Sequence, residues 1–218
     1  MALSAERVRA NLAEVREEIA AAASAAGRAP GDVELVAAVK YVDAADLGAL
    51  AEAGIAVAGE NRAQELERKA AAHPGAFAWD FIGQLQSRKV KVLAPLVRRI
   101  HSVASDSALK ELGKHARPGL EFLVEVNLAG EEGKAGIAPG DLAAFLDRAP
   151  FPASGLMTMP PLAETAEDSR RWFAALRELA ERHGLEHLSM GTTQDFAVAV
   201  QEGATMVRIG SRLYRDAA

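Results

Sequence analysis

The sequence predicts an α/β chain folded as a single (β/α)8 barrel of the TIM type, with one extra helix at its N-terminus. Three observations carry that prediction. Eight short apolar runs recur along the chain, stretches of helical character separate them, and no glycine-rich dinucleotide fingerprint follows the first run. Strands covered on both faces read as continuous apolar runs, and strict alternation of strand with helix implies a parallel sheet. Eight repeats are the number that closes a barrel; periodicity alone leaves an open doubly wound sheet as the alternative.

The elements follow in order. Val8, Leu12, Val15 and Ile19 recur at helical spacing, with Ser4 placed to cap and Gly27 and Pro30 to stop, so residues 1–30 read as an outer helix. The strands are VELVAAV (33–39), IAVAG (55–59), WDFIG (79–83), RRIHSV (98–103), LEFLVEVNL (120–128), ASGLMTM (153–159), HLSMG (187–191) and TMVRIG (205–210). Caps mark several of the helices between them. Asp43 precedes AADLGALAEAG and Ser105 precedes DSALKELGKHA, while Thr165-x-x-Asp168 and Thr192-x-x-Asp195 have capping-box spacing. No linker-like or low-complexity stretch interrupts the pattern, and residues 1–218 read as one domain.

Composition narrows the function. The chain carries 25 basic and 30 acidic side chains, a net charge of −5, without a basic run or aromatic–basic interleaving, which argues against a nucleic-acid surface. There are no cysteines, so thiolate nucleophiles, disulfides and Cys-based zinc sites are excluded. His, Asp and Glu show no metal-ligand spacing either. Glu6, Glu14, Glu17 and Glu18 occupy the region where a signal peptide would be apolar, and no run approaches membrane-spanning length. A cytoplasmic protein without membrane contact is expected.

In such barrels chemistry gathers at the C-terminal ends of the strands, and a phosphate is often held by the loops after strands seven and eight. Those loops read SMGTTQD (189–195) and RIGSR (208–212), which offer glycine for close approach and hydroxyls as donors. Thr192, Thr193, Gly210 and Ser211 are therefore phosphate-contact candidates; ordinary capping turns use the same residue types. Lys40 ends the first strand on the same rim. Of seven lysines it alone terminates an apolar strand, and partial burial there would lower its pKa and free the amine to attack an aldehyde. A strand-end lysine reaching for water is the plain alternative. Arg208 lies within an apolar strand, where its fixed charge needs a partner: either a ring nitrogen to be kept unprotonated, or a carboxylate such as Glu125.

The motifs AAVKYVD, GENRAQEL (59–66), WDFIGQLQSRKVK (79–91), IHSV (100–103), VEVNLAGEEGKAGI (124–137), GLMTM (155–159) and LSMGTTQDFAVAVQEGATMVRIGSRLY (188–214) are similar to those of the pyridoxal 5′-phosphate homeostasis proteins. That family looks like the barrel half of alanine racemase. The resemblance implies pyridoxal 5′-phosphate as cofactor, held as a Schiff base on Lys40. It also implies Asn61 beside the ring, Arg208 toward the pyridine nitrogen, and a phosphate cradle on Thr193, Gly210 and Ser211. Thr193 stands where the family usually has serine, Arg88 where asparagine is common, and the tail SRLYRD departs from the usual pattern.

Two functions follow from that resemblance: a carrier that buffers the cofactor and delivers it to apoenzymes, or a small amino-acid racemase. Racemisation needs acid–base groups on both faces of the α-carbon. The only tyrosines are Tyr41 and Tyr214, and strand alternation would point Tyr41 away from Lys40, so a carrier is expected; without the second domain that makes the racemase-type dimer contact, a monomer is expected too. His101 ends the fourth strand and is given no catalytic role. The GEEGKAG segment reads as a solvated loop, and Trp172 and Phe173 as packing against the barrel.

Overall fold

In the computed structural model, which describes residues 3–214, eight parallel strands close in sequence order into the expected barrel. The strands are β1 (Glu34–Ala38), β2 (Val57–Glu60), β3 (Ala78–Phe81), β4 (Arg99–Val103), β5 (Glu121–Glu125), β6 (Gly155–Met157), β7 (His187–Thr192) and β8 (Met206–Ile209). The helices are α1 (Ala5–Ala25), α2 (Leu47–Glu52), α3 (Ala63–Ala72), α4 (Val90–Leu93), α5 (Asp106–His115), α6 (Leu142–Asp147), α7 (Arg170–Arg182), α8 (Phe196–Gln201) and α9 (Ser211–Tyr214). Residues 1–2 and 215–218 of the expected domain lie outside the described residues.

Closure is made by β1, which pairs with β2 on one side and β8 on the other, aligning Ala37 with Ala58 and Val36 with Arg208. The expected outer helix is α1. Ser4 accepts the Arg7 amide N–H, and Val8, Leu12, Val15 and Ile19 are buried as α1 packs against α8 and α9. Among the described residues, no helix is long and apolar enough to cross a membrane.

Strand alternation sorts the core in two. Along β8, Val207 and Ile209 join the large cluster shared with the helices, whereas Met206 joins Val36, Val57, Leu123 and Met157 in a small cluster inside the cylinder. Each fully buried aliphatic side chain contributes about 1.5–3 kcal/mol. On α7, Phe173 is buried as expected, but Trp172 is only half-covered, with the Arg171 guanidinium 4.6 Å from its ring.

Several strands stop short of their apolar runs. The run 120–128 leaves the sheet after Glu125, because Asn127 turns to its own loop: Nδ2 donates to the Glu131 carbonyl at 2.9 Å and Oδ1 accepts the Glu131 N–H at 3.3 Å. The GEEGKAG loop is solvent-facing, as expected, and is held by these bonds and by the Lys134–Glu131 ion pair.

β6 and β7 approach closely at Gly155, where a Cβ would stand 2.0 Å from the His187 carbonyl oxygen. A backbone atom cannot rotate aside as a side chain can. Gly155→Ala is therefore expected to destabilise the fold by about 3 kcal/mol, read as a lower urea midpoint, while Gly31→Ala, which meets nothing within 4 Å, stays within about 0.5 kcal/mol of the parent.

Candidate functional site

Because every strand runs the same way, all C-terminal ends share one rim, and closure makes β7, β8, β1 and β2 consecutive. Thr193 directly follows β7, Gly210 and Ser211 follow β8, Lys40 lies just beyond β1, and Asn61 follows β2. The residues selected from sequence thus occupy one arc of four adjacent strand ends. The Gly210 N–H donates to Thr193 Oγ1 at 3.2 Å, which ties together the two loops of the expected phosphate cradle. Thr192 does not join them. Its N–H and hydroxyl both go to Asp195 Oδ1, at 2.7 and 3.2 Å, closing the turn before α8. The preceding Gly191 has φ +88°, and a Cβ there would meet Ala199 Cβ at 2.5 Å, so only glycine makes this turn.

Lys40 differs from the sequence expectation. β1 ends at Ala38, and Lys40 sits in the following turn, exposed rather than partly buried. Its Nζ lies 4.8 Å from the centroid of the Tyr41 ring. The alternation that would separate the two side chains applies to strands and has lapsed in the turn.

The lysine that burial singles out is Lys69, on α3, with 1% of its surface exposed. Its ammonium donates to Glu60 Oε2 at 2.6 Å and to the Val39 carbonyl at 2.7 Å. Glu60, wholly buried, accepts the Asn61 and Arg62 N–H groups on its other oxygen, at 2.7 and 3.1 Å. One buried ion pair therefore holds the backbone immediately before Lys40, and at and immediately after Asn61. The sequence alone does not single Lys69 out among the seven lysines. The signal was present, since Ala63, Leu66 and Lys69 recur every three residues on the buried face of α3.

Asn61 is positioned from its other side by Gly83, where a Cβ would fall 2.0 Å from the Asn61 carbonyl oxygen. The Ser102 hydroxyl in turn donates to the Gly83 carbonyl. Asn61 Oδ1 is buried and has no hydrogen-bond partner. Such an acceptor calls for a donor, which a bound water or a ligand can supply.

Arg208 is 5% exposed and points into the barrel mouth. Nη1 donates to the Ser189 carbonyl at 2.8 Å and to Ser189 Oγ at 2.5 Å; Nη2 donates to the Thr158 carbonyl at 3.0 Å and contacts Met159 Sδ at 2.9 Å. The alternative of a salt bridge to Glu125 is not found: among the described residues Arg208 has no ion pair. Burial lowers its pKa to about 10 against the opposing pull of Glu125 and Asp195, which leaves it charged at neutral pH. Burial also raises the pKa of Glu125, partly offset by Arg208 and Lys134.

Removing the cation from the Glu60 pair strands a carboxylate in the interior. Lys69→Met is expected to destabilise the protein by about 3–5 kcal/mol, measured by urea denaturation, even though methionine matches the stem in volume.

A family model described as "Alanine racemase, N-terminal domain" matches residues 8–218. The pyridoxal phosphate homeostasis protein of Aquifex aeolicus is 39% identical over 219 residues, covering 94% of this chain and 96% of its own. The protein of the same description from Pseudomonas aeruginosa is 39% identical over 215 residues, covering 94% and 93%. Among solved structures, PipY of Synechococcus elongatus with pyridoxal phosphate bound superposes with a TM-score of 0.77 at 30% identity, covering 95% of this chain and all of that one. The barrel, the arc of strand ends and these matches over nearly the whole chain agree, and the chain belongs to the alanine racemase N-terminal domain family.

Proposed function

We propose that this chain binds pyridoxal 5′-phosphate at the β7–β8–β1–β2 arc and takes part in its homeostasis, holding the cofactor and delivering it to apoenzymes. The observation that carries this reading is the company kept on adjacent strand ends: a primary amine, an orphaned buried acceptor, a buried cation and a hydroxyl–glycine turn. The names of the Aquifex and Pseudomonas relatives and the cofactor held by PipY support it.

The cofactor supplies an aldehyde, with which a primary amine condenses reversibly. In this reading Lys40 provides that amine, and its exposure suits a group that must both capture and release. Asn61 Oδ1 would accept a hydrogen bond from the bound ring. Arg208 would hold its charge toward the pyridine nitrogen and so keep that nitrogen unprotonated, which weakens the ring as an electron sink. Thr193, Gly210 and Ser211 receive the phosphate through hydroxyl and backbone N–H donors.

The racemase reading requires a second acid–base group opposite the amine. Tyr41 lies against Lys40 itself, and the Tyr214 hydroxyl is buried, with its pKa pushed up by that burial. Both placements favour the carrier. We place the protein in the cytoplasm as a monomer, where the exposed Lys40 suits exchange of the cofactor with other proteins.

Protein mixed with pyridoxal phosphate is expected to gain a visible absorption band, and borohydride to fix the cofactor on the peptide containing Lys40, with no label in Lys40→Ala. A preparation that never gains the band, or a label on another lysine, rejects the site. Incubation with L- and D-alanine is expected to leave α-hydrogens unexchanged; exchange that disappears in Lys40→Ala would establish the racemase instead. Ser211→Asp adds a like charge to the cradle and is expected to weaken cofactor binding about tenfold or more in a spectroscopic titration.

A further inference from the structure

Arg208 is held at the mouth by neutral groups alone, and the most restrictive of them is Ser189 Oγ, which must turn a lone pair toward the guanidinium. A free serine hydroxyl rotates and can equally direct its proton there. Here it is not free. His101 Nδ1 lies 2.8 Å from Ser189 Oγ, and His101 Nε2 lies 3.0 Å from Asp80 Oδ2. Asp80, His101 and Ser189 are all buried. Asp80 is gripped in turn by Arg98, whose Nε donates to Oδ1 at 2.8 Å and whose Nη1 donates to Glu34 at the opposite mouth at 2.8 Å.

The proton order along this line is fixed by the acid at its end. Burial pushes the Asp80 carboxyl up, but hydrogen bonds from His101 and Arg98 outweigh it and hold the group below its ordinary range. An ionised carboxylate only accepts, so His101 Nε2 carries the proton it donates. Burial keeps the imidazole from charging; Arg208 and Arg99 act in the same direction and Asp80 opposes. The neutral ring then presents Nδ1 as an acceptor, the Ser189 hydroxyl donates to it, and the serine lone pairs are left facing Arg208.

We propose that Asp80, His101 and Ser189 are positioning residues that fix the Arg208 guanidinium at the barrel mouth through one directed chain of hydrogen bonds. The proposal rests on the reading in which Arg208 faces the pyridine nitrogen. It adds that the cation is set in place before any cofactor arrives.

Arginine and histidine side-chain NMR of the protein without added cofactor tests the chain directly. In the parent protein at pH 7.5, His101 is expected as the neutral tautomer with its proton on Nε2; a proton on Nδ1, or an imidazolium, overturns the proposal without any variant being made. Arg208 N–H signals are expected to exchange slowly with water, and on the order of tenfold faster in Ser189→Ala. His101→Gln can still donate to Asp80 but offers Ser189 no acceptor, and should speed exchange likewise. His101→Asn keeps an oxygen near the Nδ1 position and should restore it. Unchanged exchange in folded Ser189→Ala and His101→Gln overturns the chain. A titration with pyridoxal phosphate separates the two ideas. Weaker binding in Ser189→Ala and His101→Gln, with His101→Asn recovering, supports the link to the cofactor. Loss of Arg208 ordering with unchanged affinity leaves the chain standing and overturns its service to the cofactor.

Discussion

The seam between β1 and β8 pairs Val36 with Arg208 and Ala37 with Ile209, joining the first strand of the chain to the last. The arc at the mouth depends on it. Without closure, the turn that carries Lys40 and the turn that carries Gly210 and Ser211 would sit at opposite edges of an open sheet. With it, the amine and the Thr193–Gly210 turn are neighbours, and parallel pairing ensures that both face the same side. The tight approach at Gly155 and the register along the other strands serve the same closure.

Closure brings strand ends together but does not hold them still. That is done by buried polar groups, which are costly to desolvate unless every donor and acceptor is met. The Lys69–Glu60 pair meets this condition by spending its remaining bonds on backbone: the Val39 carbonyl and the Asn61 and Arg62 N–H groups. A buried ion pair is weak evidence of net stabilisation, yet it is a strong constraint on geometry, since any shift of either strand end would leave a charge without its partners. The line from Asp80 through His101 and Ser189 to Arg208 works similarly inside the cylinder, with each link permitting one arrangement of protons. Neither device reaches the Lys40 amine, which stays exposed at the same rim.

Much of this was legible beforehand. Eight apolar runs gave eight strands, Ser4 and Ser105 cap α1 and α5, and the Thr165–Asp168 pair forms its capping box. Where reading failed, the reasons are physical. The fifth run overshot because Val126, Asn127 and Leu128 keep strand-like composition after Asn127 has committed its side chain to a loop. Thr192 reads from sequence as a phosphate-contact candidate because a cap and an anion site use the same hydroxyl; in the fold that hydroxyl is bonded to Asp195.

From residue order alone came the repeating strand and helix units, a strand count that fits a closed barrel, and the lysine, glycine and hydroxyl residues at strand ends. These are consequences of local periodicity and of chemistry carried by single side chains. Which lysine is buried, what holds Arg208, and which way the His101 protons point were decided only by tertiary structure. His101 meets Asp80 and Ser189 across 21 and 88 residues of sequence, and Lys69 is covered by elements that approach it from elsewhere in the chain. Burial and proton order belong to what surrounds a group, and folding alone supplies the surroundings.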